Sequence, residues 1–479
     1  MNEICEIVPS QKENPKINVR GYLMVYEKSY KNNDYWCCDK RKLIKCSGRA
    51  TTTFLNGSHY LKRYIEHTHS PQASDTKVAK TIAKIKKKAR EIRDKPAQII
   101  QDITVRMSQE YHPYMPSSNA LRARVQRVRR LEMPPQPQTL EEINLPDSLC
   151  LTLNGSPFLM KDFVAGGDRI LLFTTQANIQ HLAQAPFWMM DGTFRTVPKI
   201  FGQLYTIHAP VGGENSRILP LVYSLLTGKS EEIYRCLFEE LLELAVEYDV
   251  DLQPSTIITD FEQASINASN YVFPNIHNKE CFFHLGQSGW RKIQSCGLAI
   301  RYGNDEHFSL MLRHLFALAF LPSQEIPEAF DILKHEMPPE ADEVVKWFEY
   351  NYVHGRIRRT LRNGNDIRAA PLFPPQLWSV YNSIETGVPR TQNVAEAWHR
   401  RWGVLVGGNH VGVYTMIKEL QKEQQNVEFQ IECIIRGEQR PPKKRALINR
   451  EERLMTIIND RENRSVMDFL RGIAHNLSL

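Results

Sequence analysis

Cys38, Cys46, His67 and His69 follow one another as Cys-x7-Cys-x20-His-x-His. Four Cys or His side chains are what a structural zinc ion takes up as a closed tetrahedron. By type and spacing alone, Cys37 and His59 are equally available. Histidines at i and i+2 lie on one face of a strand, whereas a common finger spaces them three to five residues apart on a helix, so the expected site is borne on β-structure. A module of about fifty residues is also small enough to need such a staple.

A second set of residues is acidic. Asp191 closes the apolar run Phe187-Trp-Met-Met and precedes Gly192, Asp260 closes Ser255-Thr-Ile-Ile-Thr, and Glu396 lies in Asn393-Val-Ala-Glu-Ala-Trp-His-Arg. One such Asp is ordinarily a turn residue. Two at the ends of adjacent buried strands repel each other unless a cation lies between them. Two divalent ions, Mg²⁺ or Mn²⁺, held ~3.5–4 Å apart by such carboxylates would activate a water or a 3′-hydroxyl and stabilise the leaving oxygen in phosphodiester chemistry. Glu262 and Glu385 are alternatives to Glu396 as the third acid.

The elements that must carry these residues follow from pattern. Alternating runs such as Tyr22–Tyr26 and Thr51–Leu55, with Asn56-Gly57 as a hairpin turn, predict a small β module. Residues 76–95 place Val78, Ile82, Ile85, Ala89 and Ile92 on one stripe amid Lys and Arg, predicting a basic helix. Pro96 stops it; further helices are expected over 97–111 and from Ser117 or Ser118 through Arg130, before a Pro-rich linker at Met133. Beyond 148 the period changes. Residues 149–153 and 158–164 read as a hairpin about Asn154-Gly155, and Arg169–Thr174 as a buried strand. Strands at 187–191, 203–208 and 218–226, a helix at 231–247, a strand at 255–260 and a helix at 262–271 follow, then a strand at 279–283 and a helix at 285–297. This β-β-β-α-β-α order is that of a ribonuclease H-like sheet, with Asp191 on the opening strand and Asp260 on its neighbour. Residues 300–385 read as helices broken by prolines, 392–404 as one more helix and the end of the chain as a charged helical tail.

Tyr35-Trp36-Cys37-Cys38, Cys46 and His67-Thr-His69-Ser-Pro together resemble the FLYWCH zinc finger. That resemblance implies a four-stranded DNA-binding fold and assigns Cys38, with Cys46, His67 and His69, as the zinc ligands. Arg169-Ile-Leu-Leu-Phe-Thr, Ala185-Pro-Phe-Trp-Met-Met-Asp-Gly-Thr-Phe-Arg, Ile258-Thr-Asp-Phe-Glu, Cys281-Phe-Phe-His284 and Asn393-x-x-Glu-x-Trp-His399 resemble the Mutator-like element (MULE) transposase domain. What that implies is a DDE transposase with Asp191, Asp260 and Glu396 as catalytic metal ligands, and a helical insertion for which the 136 residues from Asp260 to Glu396 leave room. The family's Cys-x2-His falls on Cys281 and His284; by itself this is half a zinc set, open to a packing or hydrogen-bonding role as well as to metal or DNA contact.

The expected architecture is therefore multidomain: a zinc finger at 10–71, a basic helix-turn-helix-like region at 76–132, a ribonuclease H-like α/β core at 148–300, a helical insertion at 301–385, a return helix at 386–410 and the tail at 411–479. Charge supports a division of labour. The formal +7 of the 479 residues conceals 27 basic against 13 acidic residues over 1–135, 20 against 31 over 136–399, and 14 against 10 over 400–479. A basic front end suits double-stranded DNA; in the acidic middle, phosphate contacts would fall to patches such as Arg356–Arg359 and Arg400-Arg401. The apolar run at 310–321 is broken by Arg313 and His314, so no membrane span is expected. The acidic start Met1-Asn-Glu-Ile-Cys-Glu leads us to expect no secretory signal, hence a reducing compartment with cysteines as ligands or buried thiols. Lys84–Lys88 and Pro442-Lys-Lys-Arg445 read as nuclear import signals. The functional expectation is a nuclear transposase, assembled as a homo-oligomer on transposon ends. The rivals are a domesticated copy that regulates through DNA binding without catalysis, and an interaction module whose finger binds no DNA.

Overall fold

The computed structural model describes residues 3–9, 15–92, 94, 96–131, 135–213, 215–362, 364, 366–385, 387–442 and 444–477, and counts of elements and partners below are of these. The start of the expected finger at 10–14, the end of the first basic helix at 93 and 95, Met133 of the linker, Lys443 and the side chain of Glu385 lie outside the described residues. The chain forms two units, Met1–Gln136 and Pro137–Leu479.

In the first unit β1 (Ile4–Val8), β2 (Lys16–Val19), β3 (Tyr22–Tyr30), β4 (Asn33–Cys38), β5 (Arg49–Leu55) and β6 (Ser58–Ile65) pair antiparallel in chain order, and β6 returns to β1 to close a barrel. Arg20-Gly21, Lys31-Asn32 and Asn56-Gly57 all hold positive φ, the conformation two-residue hairpin turns require. Trp36 fills the barrel among Ile17, Val19, Met24 and Ala50, its indole N–H donating to Thr52 Oγ1 at 2.8 Å. Four strands were expected; there are six, because β1 precedes the expected boundary and pairs with both β2 and β6. Behind the barrel stand α1 (Ala73–Glu91), α2 (Pro96–Thr104) and α3 (Ser118–Leu131), packed through Ile85, Ala89, Ile99, Leu121 and Val125. Pro96 opens α2, where its missing N–H costs nothing, and Ser117 Oγ caps α3 by accepting from the Ala120 N–H. The second helix is shorter than its pattern predicts: it stops at Thr104, and Gln109–Tyr114, containing Pro113, form a 3₁₀ segment instead.

In the second unit β7 (Leu159–Ala165), β8 (Asp168–Phe173), β9 (Phe187–Thr193), β10 (Gln203–Val211), β11 (Arg217–Leu226), β12 (Thr256–Thr259) and β13 (His277–Glu280) form one sheet in the order β13-β12-β9-β10-β11-β8-β7. Neighbours pair antiparallel except β12 with β9 and with β13, which are parallel. Strand β9 is buried from Phe187 to Asp191 and β10 from Gln203 to Ala209, as suits strands covered on both faces. The helices that bear on the site are α4 (Gln176–Gln184), α5 (Glu231–Glu247), α6 (Gln263–Val272), α7 (Phe282–Ser295), α8 (Asn393–Val406) and α9 (Val413–Ile435). Three expectations are corrected here. Residues 147–150 make one helical turn; the turn at Asn154-Gly155 forms, with Gly155 at positive φ and Leu151 bridged to Pro157, but β7 pairs with β8 across Gly166-Gly167 and not with 149–153. Strand β13 ends at Glu280, and after Cys281 α7 begins at Phe282. The tail is not a free charged tail: Leu454, Phe469, Leu470 and Ile473 join the insertion core of Phe316, Phe330, Phe348 and Trp378. Among the described residues no helix is long and apolar enough to cross a membrane.

Candidate functional site

The first cluster gathers where the barrel's strands run out. Strand β4 ends at Cys38; one helical turn, Arg41–Ile44, leaves through Lys45 at φ +54° and presents Cys46. Strand β6 loses its partner after Ile65, paired with Arg49, so His67 and His69 stand in unpaired chain beyond it and not on a strand face as expected. Cys38 Sγ lies 3.3 Å from His69 Nε2 and Cys46 Sγ 3.4 Å from His67 Nδ1, and the four ligand atoms all fall within 4.8 Å of one another. Zinc bonds of ~2.3 Å to sulfur and ~2.0–2.1 Å to nitrogen give tetrahedral edges of about 3.3–3.8 Å, so the donor set fits Zn²⁺. Supporting bonds orient it: Lys40 N–H donates to Cys38 Sγ, Gly48 N–H to Cys46 Sγ, and His69 Nδ1 bonds the Ser70 carbonyl, leaving Nε2 towards Cys38. The His67 ring lies flat on Tyr22 at 3.8 Å. A Cβ on Gly48 would stand 2.6 Å from that ring, so only glycine leaves it room. Burial pushes the Cys38 thiol up to about 11; at Cys46 burial also pushes upward, but the Thr68 and Gly48 N–H groups outweigh it and bring the thiol to about 7. Cys37 is buried but outside this set, and His59 is inside the barrel against Thr52.

The second cluster lies where β9 and β12 part. Their parallel pairing ends at Met189 and Ile258. Asp191 and Asp260 come just after, Asp191 within β9 and Asp260 just past β12. Glu396 enters from the first turn of α8 and His284 from the first turn of α7, with His284 Nε2 3.1 Å from Glu396 Oε1. Burial pushes the Asp191 carboxyl up to about 7; His284 opposes the shift, and Asp260 and Glu396 add to it. Asp260 is raised by burial, again with His284 opposing and Glu396 adding. Glu396 is lowered, by the His284 hydrogen bond above all. Burial disfavours charge on His284, yet the Cys281 thiol and Glu396 outweigh it and hold the imidazole up at about 11. Three carboxylates thus share a buried site with an imidazolium among them. Asp191 Oδ2 has no hydrogen-bond donor; His399 Nδ1 stands 3.3 Å away but is poorly aligned, and burial keeps that imidazole neutral by pushing it down to about 4. An orphaned, buried carboxylate oxygen among repelling acids suits a divalent cation. The three acids nevertheless do not close to the mutual spacing of the zinc set.

Residues that sequence reasoning passed over hold this cluster in shape. Gln392, wholly buried, donates from Nε2 to the Met190 carbonyl at 3.0 Å and the Ile258 carbonyl at 2.6 Å, bridging the two strands at their fork. Its backbone N–H donates to Cys281 Sγ at 3.1 Å, and its carbonyl accepts from Glu396 N–H at 2.9 Å. Cys281 also donates its N–H to Thr259, so the Cys-x2-His pair serves as a joint: Cys281 ties β12, α7 and α8, and His284 holds Glu396. Glu280, buried and raised far above the carboxylate range by burial, adds a further acid beside Asp260. Nothing in local sequence separates a bridging Gln392 from any polar residue ahead of a helix. Glu262, the alternative third acid, is taken up by Tyr234 at 3.0 Å and faces Lys229 at 3.8 Å. Of the basic patches, Arg401 is paired with buried Glu423, and Arg356–Arg359 lie at an exposed hairpin of β14 (Ile357–Thr360) and β15 (Asp366–Arg368), not on a helix.

Family models match each unit once: residues 7–69 match the FLYWCH zinc finger domain and residues 187–288 the MULE transposase domain. The chain therefore joins a FLYWCH zinc finger to a MULE transposase domain, the make-up of a transposase-like DNA-binding protein. The second match takes in Asp191, Asp260, Cys281 and His284 and ends before Glu396. No curated protein matches the chain.

Proposed function

We propose that the protein is a nuclear DDE-type transposase: the zinc finger and the basic helices hold double-stranded DNA, and Asp191, Asp260 and Glu396 hold the Mg²⁺ or Mn²⁺ ions that serve strand cleavage and transfer. The observation that carries the reading is the meeting of three acids, distant in sequence, beyond the last parallel pair of β9 and β12. The order β11-β10-β9-β12-β13, with three antiparallel strands followed by two parallel ones, supports a ribonuclease H-like core for that site. Bound there, divalent ions supply Lewis acidity to the attacking water or 3′-hydroxyl and charge relief to the leaving oxygen. The chain's own part is placement. Gln392 fixes the fork that spaces Asp191 and Asp260, its helix delivers Glu396 one turn later, and His284 neutralises the acids until a cation takes that role. The hydrogen bond from His284 to Glu396 equally favours the second reading, a DNA-binding regulator that has lost cleavage.

Purified full-length protein incubated with labelled duplex carrying its element ends and Mn²⁺ is expected to nick at those ends, and Asp191→Ala to abolish nicking. Mn²⁺ is expected to raise the melting temperature of the wild type and not of Asp191→Asn, which in chelator should itself melt higher because a repelling charge is gone. Metal-dependent stabilisation without nicking would leave the regulator; nicking that survives Asp191→Ala would refute the assigned site.

A further inference from the structure

The first unit carries a second feature, which borders the zinc site through Cys38. Helices α1 and α3 and the barrel enclose two cavities of about 650 and 900 Å³, and Lys86 and Arg124 line both. The smaller is walled by Lys84, Lys87 and Arg127 as well, with no acid in its lining. The larger reaches across to Lys16 and Lys42 of the barrel, and its single acid, Asp39, is held by Lys16 at 2.8 Å. Two further cations of the lining are paired, Lys80 with Glu6 and Arg41 with Glu27, as are Lys40 with Asp75 and Lys88 with Asp102 outside it. Lys84, Lys86, Arg124 and Arg127 have no acidic partner among the described residues.

Such a gathering opposes folding, since each cation raises the cost of the next in a partly desolvated cleft. Burial, together with Arg124, Arg90, Lys16 and Arg127, pushes the Lys86 ammonium down to about 8. Ala83, Val128 and Val25 line the same walls, excluding water and strengthening the field. A cleft of this kind is relieved by an anion with several charges. Two adjoining cavities that share their central cations offer room for successive phosphates rather than for one ion.

We propose that this cleft is a phosphate track that holds the sugar–phosphate backbone of one DNA strand, with Lys86 and Arg124 at its centre. The inference rests on the DNA-binding reading of the zinc finger and deepens it: barrel and helices grip one backbone together, and the helices are not a separate groove-reading arm.

The test measures anisotropy of a fluorescent random-sequence 20-bp duplex with the full chain between 50 and 200 mM salt. Lys86→Ala/Arg124→Ala is expected to lose roughly ten- to a hundredfold in affinity at 100 mM salt, and the slope of log K against log salt to fall by about two, since each neutralised phosphate contributes about 0.9. Arg122→Ala removes one charge from the exposed face of α3, outside the cleft, and is expected to change affinity less than threefold. Zinc content and melting temperature report whether each variant is folded. In parallel, amine acylation is read at Lys86 with duplex or with tripolyphosphate present; duplex is expected to protect it. If duplex binds and the double variant is no weaker than Arg122→Ala, the track is overturned while the DNA-binding reading stands. If duplex does not bind at all but tripolyphosphate protects Lys86, the DNA-binding reading falls and the cleft is a site for free polyphosphate.

Discussion

Gln392→Leu tests whether the acid cluster is held by the fork between β9 and β12. The substitution keeps the side chain's volume within a buried site and removes two hydrogen bonds, of 3.0 and 2.6 Å, to the Met190 and Ile258 carbonyls. Each bond contributes about 1 kcal/mol net, and a buried acceptor left without a donor costs about 1–3 kcal/mol more. Allowing for carbonyls that keep a strand partner, the expected loss is about 2–4 kcal/mol, a large fraction of a typical domain's 5–15 kcal/mol. The loss is local: the Gln392 N–H still reaches Cys281 Sγ, because the backbone is unchanged, but α8 is no longer tied to the sheet by its side chain. Hydrogen–deuterium exchange read by mass spectrometry on the 393–406 segment is the assay. Protection there should fall by roughly thirty- to several-hundredfold, while the barrel segments at 22–38 and 49–65 exchange as before. If protection of 393–406 changes by less than about threefold, Gln392 is a passenger and the placement of Glu396 has another cause.

Two further outcomes follow from single residues. Gly48→Ala forces a Cβ to 2.6 Å from the His67 ring without backbone strain, since Gly48 does not hold positive φ; overpacking of about 1–3 kcal/mol should weaken zinc five- to a hundredfold in competition with a chromophoric chelator, and unchanged zinc retention would refute the steric argument. His314 is buried with Nδ1 on the Leu310 carbonyl at 2.7 Å, and burial lowers its proton affinity. The unfolded chain therefore protonates first, so this residue's contribution to stability is lost as pH falls through about 6.5; melting temperatures from pH 7 to 5 should fall less steeply for His314→Asn than for the wild type.

What the sequence could tell depended on whether the signal was local. The Asn56-Gly57 hairpin, the Pro96 boundary and the strand order from Phe187 to Thr259 were legible because turn chemistry and period are properties of a few consecutive residues. The four zinc donors were legible because their types are rare and their spacing regular, whereas the end of β6 before His67 depended on where Arg49 and Ile65 stop pairing across the barrel. The inward face of the final helices, by contrast, left a local signal. Counting charges made 411–479 a tail, yet Met416, Ile417, Leu420, Val427 and Ile431 repeat at helical spacing, and α9 turns that face inward. Gln392 and Glu280 were not legible at all, because a buried polar residue is recognised by its partners and not by its neighbours in sequence.

The same distinction decides what the divided charge means. A balance of 20 basic against 31 acidic residues over 136–399 would make the middle of the chain hostile to a phosphodiester if all its acids were charged and free. They are not. Glu280 is held protonated by burial, and Asp191 sits at about 7, so two acids of the cluster carry less than their formal charge. The cations that the remaining acids feel are specific: His284 and Lys229 at Asp260, His284 and Arg400 at Glu396. A field falls off over a Debye length of about 8 Å at physiological salt, so these groups outweigh distant surface acids in setting what an approaching phosphate meets. In the first unit pairing leaves the surplus intact, because each bond of Lys16, Lys40, Lys80 or Lys88 takes up one acid with one cation, and part of that surplus, Lys84, Lys86, Arg124 and Arg127, gathers on the walls of one cleft. Cations gathered in one partly buried cleft act on an approaching polyanion more strongly than the same number spread over an exposed surface, which is why exchanging Arg122 and exchanging Lys86 with Arg124 should differ in more than the number of charges removed.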